Sequence, residues 1–220
     1  MTSRVSFDNE LAILNENLTE MGMLIEGAID KVIQAFKDED GSLAKEIIQG
    51  DRTINDMERA IEARCLSLIL RQQPVARDLR IVTTALKVVT DMERIGDHAA
   101  DISELILRND FKSNFELVQA IPKMAEVAKK MVHKAIEAFI HCSIEEAKDT
   151  KKMDDQVDAL FNTVKQSVID AMKNHGDNAD CYIDVLMIAK YMERIGDHAV
   201  NICEWTEFHE TGAVNNIRIL

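Results

Sequence analysis

Asp91–Glu104 reads DMERIGDHAADISE, and Tyr191–Glu204 reads YMERIGDHAVNICE. The octamer MERIGDHA is unchanged between the two stretches, which lie 100 residues apart. An identical octamer recurring within 220 residues marks a duplication, so the chain is two copies of one unit. After a duplication, apolar core residues exchange readily for other apolar residues. Retention of Glu, Asp, Gly and His in both copies therefore points to groups that do more than fill space.

Outside the repeat, composition favours helix. The chain has 8 Gly and 2 Pro, the two residues least suited to a helix interior, and 5% aromatic residues. No strand is evident. Phe7, Leu11, Leu14, Leu18, Met21, Ile25, Ile29, Val32 and Phe36 recur at steps of three and four and form one stripe along a first helix. Asp40-Gly41-Ser42 stops it and offers an N-cap for a second helix over about 43–71. Pro74 ends that helix and sits in the first turn of a third, which carries the first motif to about Leu107. Residues 109–114 form a polar linker. The plan then repeats: Leu117, Ile121, Met124, Ala128, Met131 and Ala135 line a fourth helix and Ser143 caps a fifth. A turn over 174–178 leads into a sixth helix, which carries the second motif and ends near His209. Residues 212–220 stay unassigned.

Short connections between long amphipathic helices favour antiparallel neighbours. The fold class is therefore all-α, six long antiparallel helices in two tandem, pseudo-symmetric three-helix bundles, residues 1–110 and 111–220. A pseudo-twofold and a simple repeat translation are both compatible with the duplication.

Net charge is −13, which repels phosphate backbones and excludes nucleic acid as a partner. It suits a solvated surface, a basic partner or cation binding. Cys65, Cys142, Cys181 and Cys203 show no C-x-x-C spacing and read as buried, reduced thiols. No stretch reaches the ~20 apolar residues of a membrane span and no signal segment opens the sequence. These features indicate a cytoplasmic protein that reaches a membrane only by docking on something else.

On a helix Glu93, Asp97 and Asp101 fall at i, i+4 and i+8, one face beside the apolar Met92, Ile95, Ala99 and Ile102. Asp51 and Asn55 lie one turn apart on the preceding helix. Asp51-Arg-Thr-Ile-Asn55 resembles Asp154-Asp-Gln-Val-Asp158, which extends the repeat. The distance from Asp51 to Glu93 is 42 residues and from Asp154 to Glu193 is 39, and the difference falls in the turn around Pro74. An antiparallel bundle brings Asp51, Asn55, Glu93, Asp97 and Asp101 into one cluster. It brings Asp154, Asp158, Glu193, Asp197 and Asn201 into another. Like charges so placed raise one another's pKa or take a cation between them. An all-oxygen set suits hard cations, Mg²⁺, Mn²⁺, Ca²⁺ or iron, and several carboxylates allow a multinuclear site. Gly96 and Gly196 permit close backbone approach beside each cluster. The competing interpretation is a solvated face bridged by Arg94 and Arg194. His98 and His198 point roughly 100° away from the Asp before them, toward the surface or a supporting position rather than a metal. Glu-x-x-His pairs, a P-loop, G-x-S-x-G and a dinucleotide fingerprint are all absent from the sequence.

Gln73-Pro-Val-Ala-Arg-Asp-Leu-Arg80, followed by Met92-Glu-Arg-Ile-Gly-Asp97 and its second copy, closely resembles the PhoU family of bacterial phosphate-uptake regulators, over essentially the whole chain. The resemblance implies two three-helix bundles, frequent homodimers, and metal ions (Fe, Zn, Mn or Mg) on Glu93/Asp97 and Glu193/Asp197 with Asp51, Asp154 and Asp158 in support. Asn55 stands where a carboxylate is frequent. The resemblance further implies a negative regulator of the phosphate-starvation response and of phosphate uptake. Such a regulator acts as an adaptor between the ATPase subunit of the phosphate ABC transporter and the sensor histidine kinase of the phosphate two-component system. It implies no catalytic activity, and recruitment to the inner membrane through those partners. The alternatives are a metal-dependent phosphohydrolase, which lacks a recognisable nucleophile or general acid here, and a metal-free helical scaffold.

Overall fold

The computed structural model describes residues 3–109, 119–174, 178–214 and 217–218. Helix α1 spans Ser3–Asp38, α2 Gly41–Gln72, α3 Arg77–Ile106, α4 Ala120–Ile140, α5 Ile144–Lys151, α6 Asp154–Asn174 and α7 Ala179–Thr211. The fold is all-α. Every member of the α1 stripe from Leu14 to Phe36 is buried, and Leu11 is partly so. Ile121, Met124, Ala128, Met131 and Ala135 are buried on α4, and Leu117 lies outside the described residues.

The helix ends follow local chemistry. The Asp40 carboxylate accepts from the N–H groups of Ser42 (2.9 Å) and Leu43 (3.1 Å), so α2 starts two residues before the expected boundary. Ser143 caps α5 through Glu146 N–H at 3.3 Å. Gly212, at φ 71°, closes α7 by donating to Phe208 O at 2.8 Å, and the helix runs two residues past His209.

Four expectations change. Pro74 is not in the first turn of α3: Gln73 (φ 47°) and Ala76 (φ 49°) both take positive φ, and the chain turns through them before Arg77. The expected fifth helix is two pieces, with Met153 N–H reaching Thr150 O at 2.9 Å before Asp154 opens α6. In the tail, unassigned from the sequence, Ala213–Val214 (β1) and Ile217–Arg218 (β2) pair antiparallel, although no strand was expected. Of the four cysteines, Cys65 and Cys203 are buried, whereas Cys142 and Cys181 are partly exposed. The polar linker beyond Asn109, and 175–177 of the second turn, fall outside the described residues.

Helices α1, α2 and α3 pack on one another, as do α4, α6 and α7 with α5 alongside. Between the sets, α3 lies on α7 and α1 on α4. Both contacts are antiparallel. Arg77 meets Glu210, Asp91 meets Asn201 and Asn109 meets Asp184, so numbering rises on α3 as it falls on α7. Asp30 likewise meets Lys129 while Lys37 meets Glu126. Copies related by translation would pair such helices in parallel, so the duplication is arranged about a pseudo-twofold axis. The axis passes near the His98 and His198 rings, whose centroids are 5.4 Å apart. Met92, Ile95 and Ile102 from the first copy, and Met192, Ile195 and Ile202 from the second, are buried in one continuous core. Each such side chain contributes about 1.5–3 kcal/mol on burial. Helices α2 and α6 flank this seam and carry the remaining acidic residues to its two outer sides. Among the described residues no helix is long and apolar enough to cross a membrane.

Candidate metal centres

In the first copy Gly96 lets α2 lie close against α3. A Cβ at Gly96 would stand 3.0 Å from both Ile54 Cδ1 and Ile54 Cγ2, and 3.5 Å from Asp51 Oδ1. In the second, a Cβ at Gly196 would stand 3.2 Å from Asp154 Oδ1 and 3.6 Å from Val157 Cγ1. Asp51 and Ile54 therefore occupy the places of Asp154 and Val157, and the weak sequence match between the two Asp segments is a true structural equivalence. Gly96→Val is expected to destabilise the protein by about 2 kcal/mol, because buried Ile54 cannot retreat. Gly27→Ala, where a Cβ meets nothing within 4 Å, is expected to stabilise by about 0.5–1 kcal/mol. Thermal unfolding of both variants checks the pair.

Around Gly96 the first cluster joins Asp51, Asn55, Glu93 and Asp97. Asn55 Nδ2 donates to Asp51 Oδ2 at 2.9 Å. Burial raises the Asp51 pKa, and the charge of Asp97 raises it further. Burial and Asp97 do the same to Glu93, with Arg94 opposing. Arg94 Nη1 lies 2.9 Å from Asp97 Oδ2 and its Nε 3.4 Å from Glu93 Oε2, so part of the arginine-bridged arrangement is present. It does not complete the cluster. Asp51 Oδ1 and Asn55 Oδ1 are buried acceptors with no hydrogen-bond donor, and Glu93 Oε2 is buried with only the ion pair to Arg94 and no hydrogen bond.

Asp154, Asp158, Glu193 and Asp197 form the second cluster. Asp154 is pushed up to about 6 by burial and by the charges of Asp158, Asp197 and Glu193. Asp197, though open to solvent, is also raised, by partial burial and by Glu193. Asp154 Oδ1 is buried without a donor. Lys190 takes the place of Arg94 here: its ammonium pairs with Glu193 and lies 5.5 Å from the centre of the Phe161 ring.

The structure does not bring Asn201 to the second cluster. Its Nδ2 donates to Asp91 Oδ1 at 3.0 Å, across the seam. Asp101, at the equivalent place in the first copy, lies 3.5 Å from His98 Nδ1 and is 44% exposed, although its charge still acts on Asp51. At i+8 the helix has drifted far enough round to face the other bundle. The two histidines are likewise at the seam: His98 is buried, with its ring centroid 5.4 Å from that of Tyr191, and His198 Nδ1 lies 2.8 Å from Asp91 Oδ1. Glu58 was missed. Its pKa is raised by burial and Glu62, and its charge acts on Glu93. It lies seven residues after Asp51 on the same helix face, a spacing visible in the sequence. Its counterpart is the apolar Phe161, so comparing the copies hid it.

The donor set fits a hard cation. Each cluster presents carboxylates from two helices, with Asp51 and Glu93 in the first and Asp154 and Asp197 in the second raised by burial and neighbouring charge, and with buried oxygen atoms lacking donors. Each is larger in negative charge than its one bridging cation can cancel.

A family model described as the PhoU domain matches the chain twice, over residues 18–106 and 121–206. The phosphate-specific transport system accessory protein PhoU homolog of Clostridium acetobutylicum is 35% identical over 213 residues, covering 96% of this chain and 97% of that protein. The Escherichia coli phosphate-specific transport system accessory protein PhoU is 30% identical, covering 94% and 86%. Crystal structures of PhoU from Pseudomonas aeruginosa (TM-score 0.87, 29% identity, 94% of this chain and all of that one) and from Streptococcus pneumoniae (0.88, 28%, 96% and all) share the architecture.

Proposed function

The chain belongs to the PhoU family, and from that premise we propose that it is an accessory and regulatory protein of a phosphate-specific transport system. In this reading it is a cytoplasmic, non-catalytic adaptor. It restrains the phosphate-starvation response and phosphate uptake by bridging the transporter's ATPase subunit and the sensor histidine kinase of the phosphate two-component system. We further propose a homodimer, and bundle-sized units at 1–110 and 111–220.

The observation that carries the metal part is the equivalent placement of Asp51 against Gly96 and Asp154 against Gly196, each with a buried carboxylate oxygen that no donor reaches. Asp51, Asn55, Glu58, Glu93 and Asp97 would hold metal in the first copy, and Asp154, Asp158, Glu193 and Asp197 in the second. A bound cation supplies positive charge that cancels the repulsion. The ligands then tie α2 to α3 and α6 to α7, fixing the surfaces offered to partners.

In abundant phosphate, a strain lacking the gene is expected to show high alkaline phosphatase activity, returned to low by the wild-type gene. Unchanged low activity in the deletion strain would sink the regulatory reading. Full complementation by a gene carrying Asp51→Asn, Asp97→Asn, Asp154→Asn and Asp197→Asn would instead remove metal from the function and leave a scaffold.

A further inference from the structure

At the end of the seam where Arg77 meets Glu210, the turn after α4 meets the last turn of α7. Cys142 Sγ, a ring nitrogen of His209 and a carboxylate oxygen of Glu210 there lie within 4.8 Å of one another. None of these residues belongs to the acidic clusters. The His209 side chain is only 5% exposed, yet neither ring nitrogen makes a hydrogen bond, and Nδ1 has only the Glu210 carboxylate beside it. A neutral imidazole has one N–H to donate and one lone pair to share, and burial ordinarily requires a partner for each.

We propose that Cys142, His209 and Glu210 form a mononuclear transition-metal site, of the kind that takes Zn²⁺, separate from the carboxylate clusters. The donor types select the ion: thiolate with imidazole and a single carboxylate suits zinc, whereas the clusters offer oxygen alone. The dimensions are close to those required. Two ligands about 2.1 Å from a tetrahedral ion stand ~3.4 Å apart, and His209 Nδ1 already lies 3.3 Å from Glu210 Oε1. Cys142 and Glu210, both partly exposed, are the ligands whose side chains would turn to close the remaining distances. His209 suits the role because burial lowers its pKa and keeps the ring in its neutral, ligating form. The backbone contributes as well. Cys142, at φ 54°, takes a conformation unusual for a side-chain-bearing residue, just past the His141 C-cap of α4. Glu210 is held by Arg77, whose Nη2 is 3.1 Å from Glu210 Oε1, and Arg80 Nε reaches His209 O at 3.4 Å. Ligation draws Glu210 from Arg77, which couples occupancy to the start of α3. A fourth position remains for water.

Co²⁺ titration of the full chain, reduced and freed of metal by chelator, reads the site directly, because thiolate ligation gives a near-ultraviolet charge-transfer band that oxygen ligands do not. One equivalent is expected to develop the band, and Zn²⁺ to abolish it. Cys142→Ser is expected to lose the band while keeping the wild-type helical circular dichroism. Glu210→Gln should keep the band but weaken Co²⁺ affinity at least ~10-fold, the loss that accompanies removal of groups around a bound metal. The double variant Asp51→Asn, Asp154→Asn should keep the band, since the clusters take no part in it. Absence of the band in the wild type, its survival in Cys142→Ser, unchanged affinity in Glu210→Gln, or its loss in the double variant would each overturn the proposal.

Discussion

Asp154→Asn is expected to raise the thermal midpoint of the metal-free protein at pH 7 by about 2–8 °C, while lowering metal affinity at the second cluster at least ~100-fold. The two effects have one cause. Asp154 sits against the backbone of Gly196 among Asp158, Glu193 and Asp197, and its carboxyl is pushed from 3.8 to about 6. The folded protein therefore binds a proton there more tightly than the unfolded chain does. The resulting stability is fully present below about pH 4 and is lost as pH rises through about 6. A shift of roughly two units is about 3 kcal/mol at full strength. Solvent reaches the cluster, so screening reduces this to about 1–2 kcal/mol. Asn keeps the shape without the charge, so the metal-free variant escapes the loss at pH 7 and gains nothing at pH 4.

Loaded with metal, the order reverses. Binding to the native state alone stabilises the wild type in proportion to occupancy, and the variant lacks the ligand. Calorimetry at both pH values, with chelator and with Mn²⁺, tests each half separately. Equal midpoints of the chelated proteins at pH 7 would mean that the repulsion is relieved by Lys190 alone. Equal Mn²⁺ affinities would remove Asp154 from the proposed ligand set.

The helices and the two outer clusters were legible in the sequence because both rest on periodicity within one helix and on the repeat between copies. Leu14, Leu18, Met21 and Ile25 at three-to-four spacing can only be buried together, and they are. Asp51 and Glu93 were paired by matching Asp154 and Glu193, a step that needs no coordinates. What the sequence hid depends on the angle between helices. Asp101 and Asn201 share a stripe with Glu93 and Glu193 on paper, but the i+8 position has turned toward the other bundle. The break between α5 and α6 comes at Lys152-Met153, which contains no Gly or Pro to announce it. Cys142 and His209 are 67 residues apart and were met as a lone cysteine and a helix terminus. Only the packing of the α4–α5 turn on α7 joins them.

Asp91→Ala is expected to destabilise the protein by about 3 kcal/mol, whereas Asp101→Ala, on the same helix, should change stability by less than about 1 kcal/mol. Position 91 is one of four at which the two copies of the motif differ: the first has Asp91 and the second Tyr191. About the pseudo-twofold axis this makes the seam unequal. On one side Asp91 accepts from His198 Nδ1 at 2.8 Å, Asn201 Nδ2 at 3.0 Å and Trp205 Nε1 at 3.2 Å, with its side chain 14% exposed. On the other, His98 Nδ1 lies 3.5 Å from Asp101 Oδ2 and its ring sits beside Tyr191. Truncating Asp91 leaves three donors of the second bundle facing a partly buried gap, at about 1 kcal/mol each once entering water is allowed for. Truncating Asp101 exposes one weak contact that solvent already reaches. Asp91→Asn retains an acceptor oxygen and is expected to recover about half of the loss. Chemical denaturation of the three variants tests this ordering. If Asp91→Ala and Asp101→Ala cost the same, the seam is held by its apolar core alone and the Asp91 acceptor contributes nothing measurable.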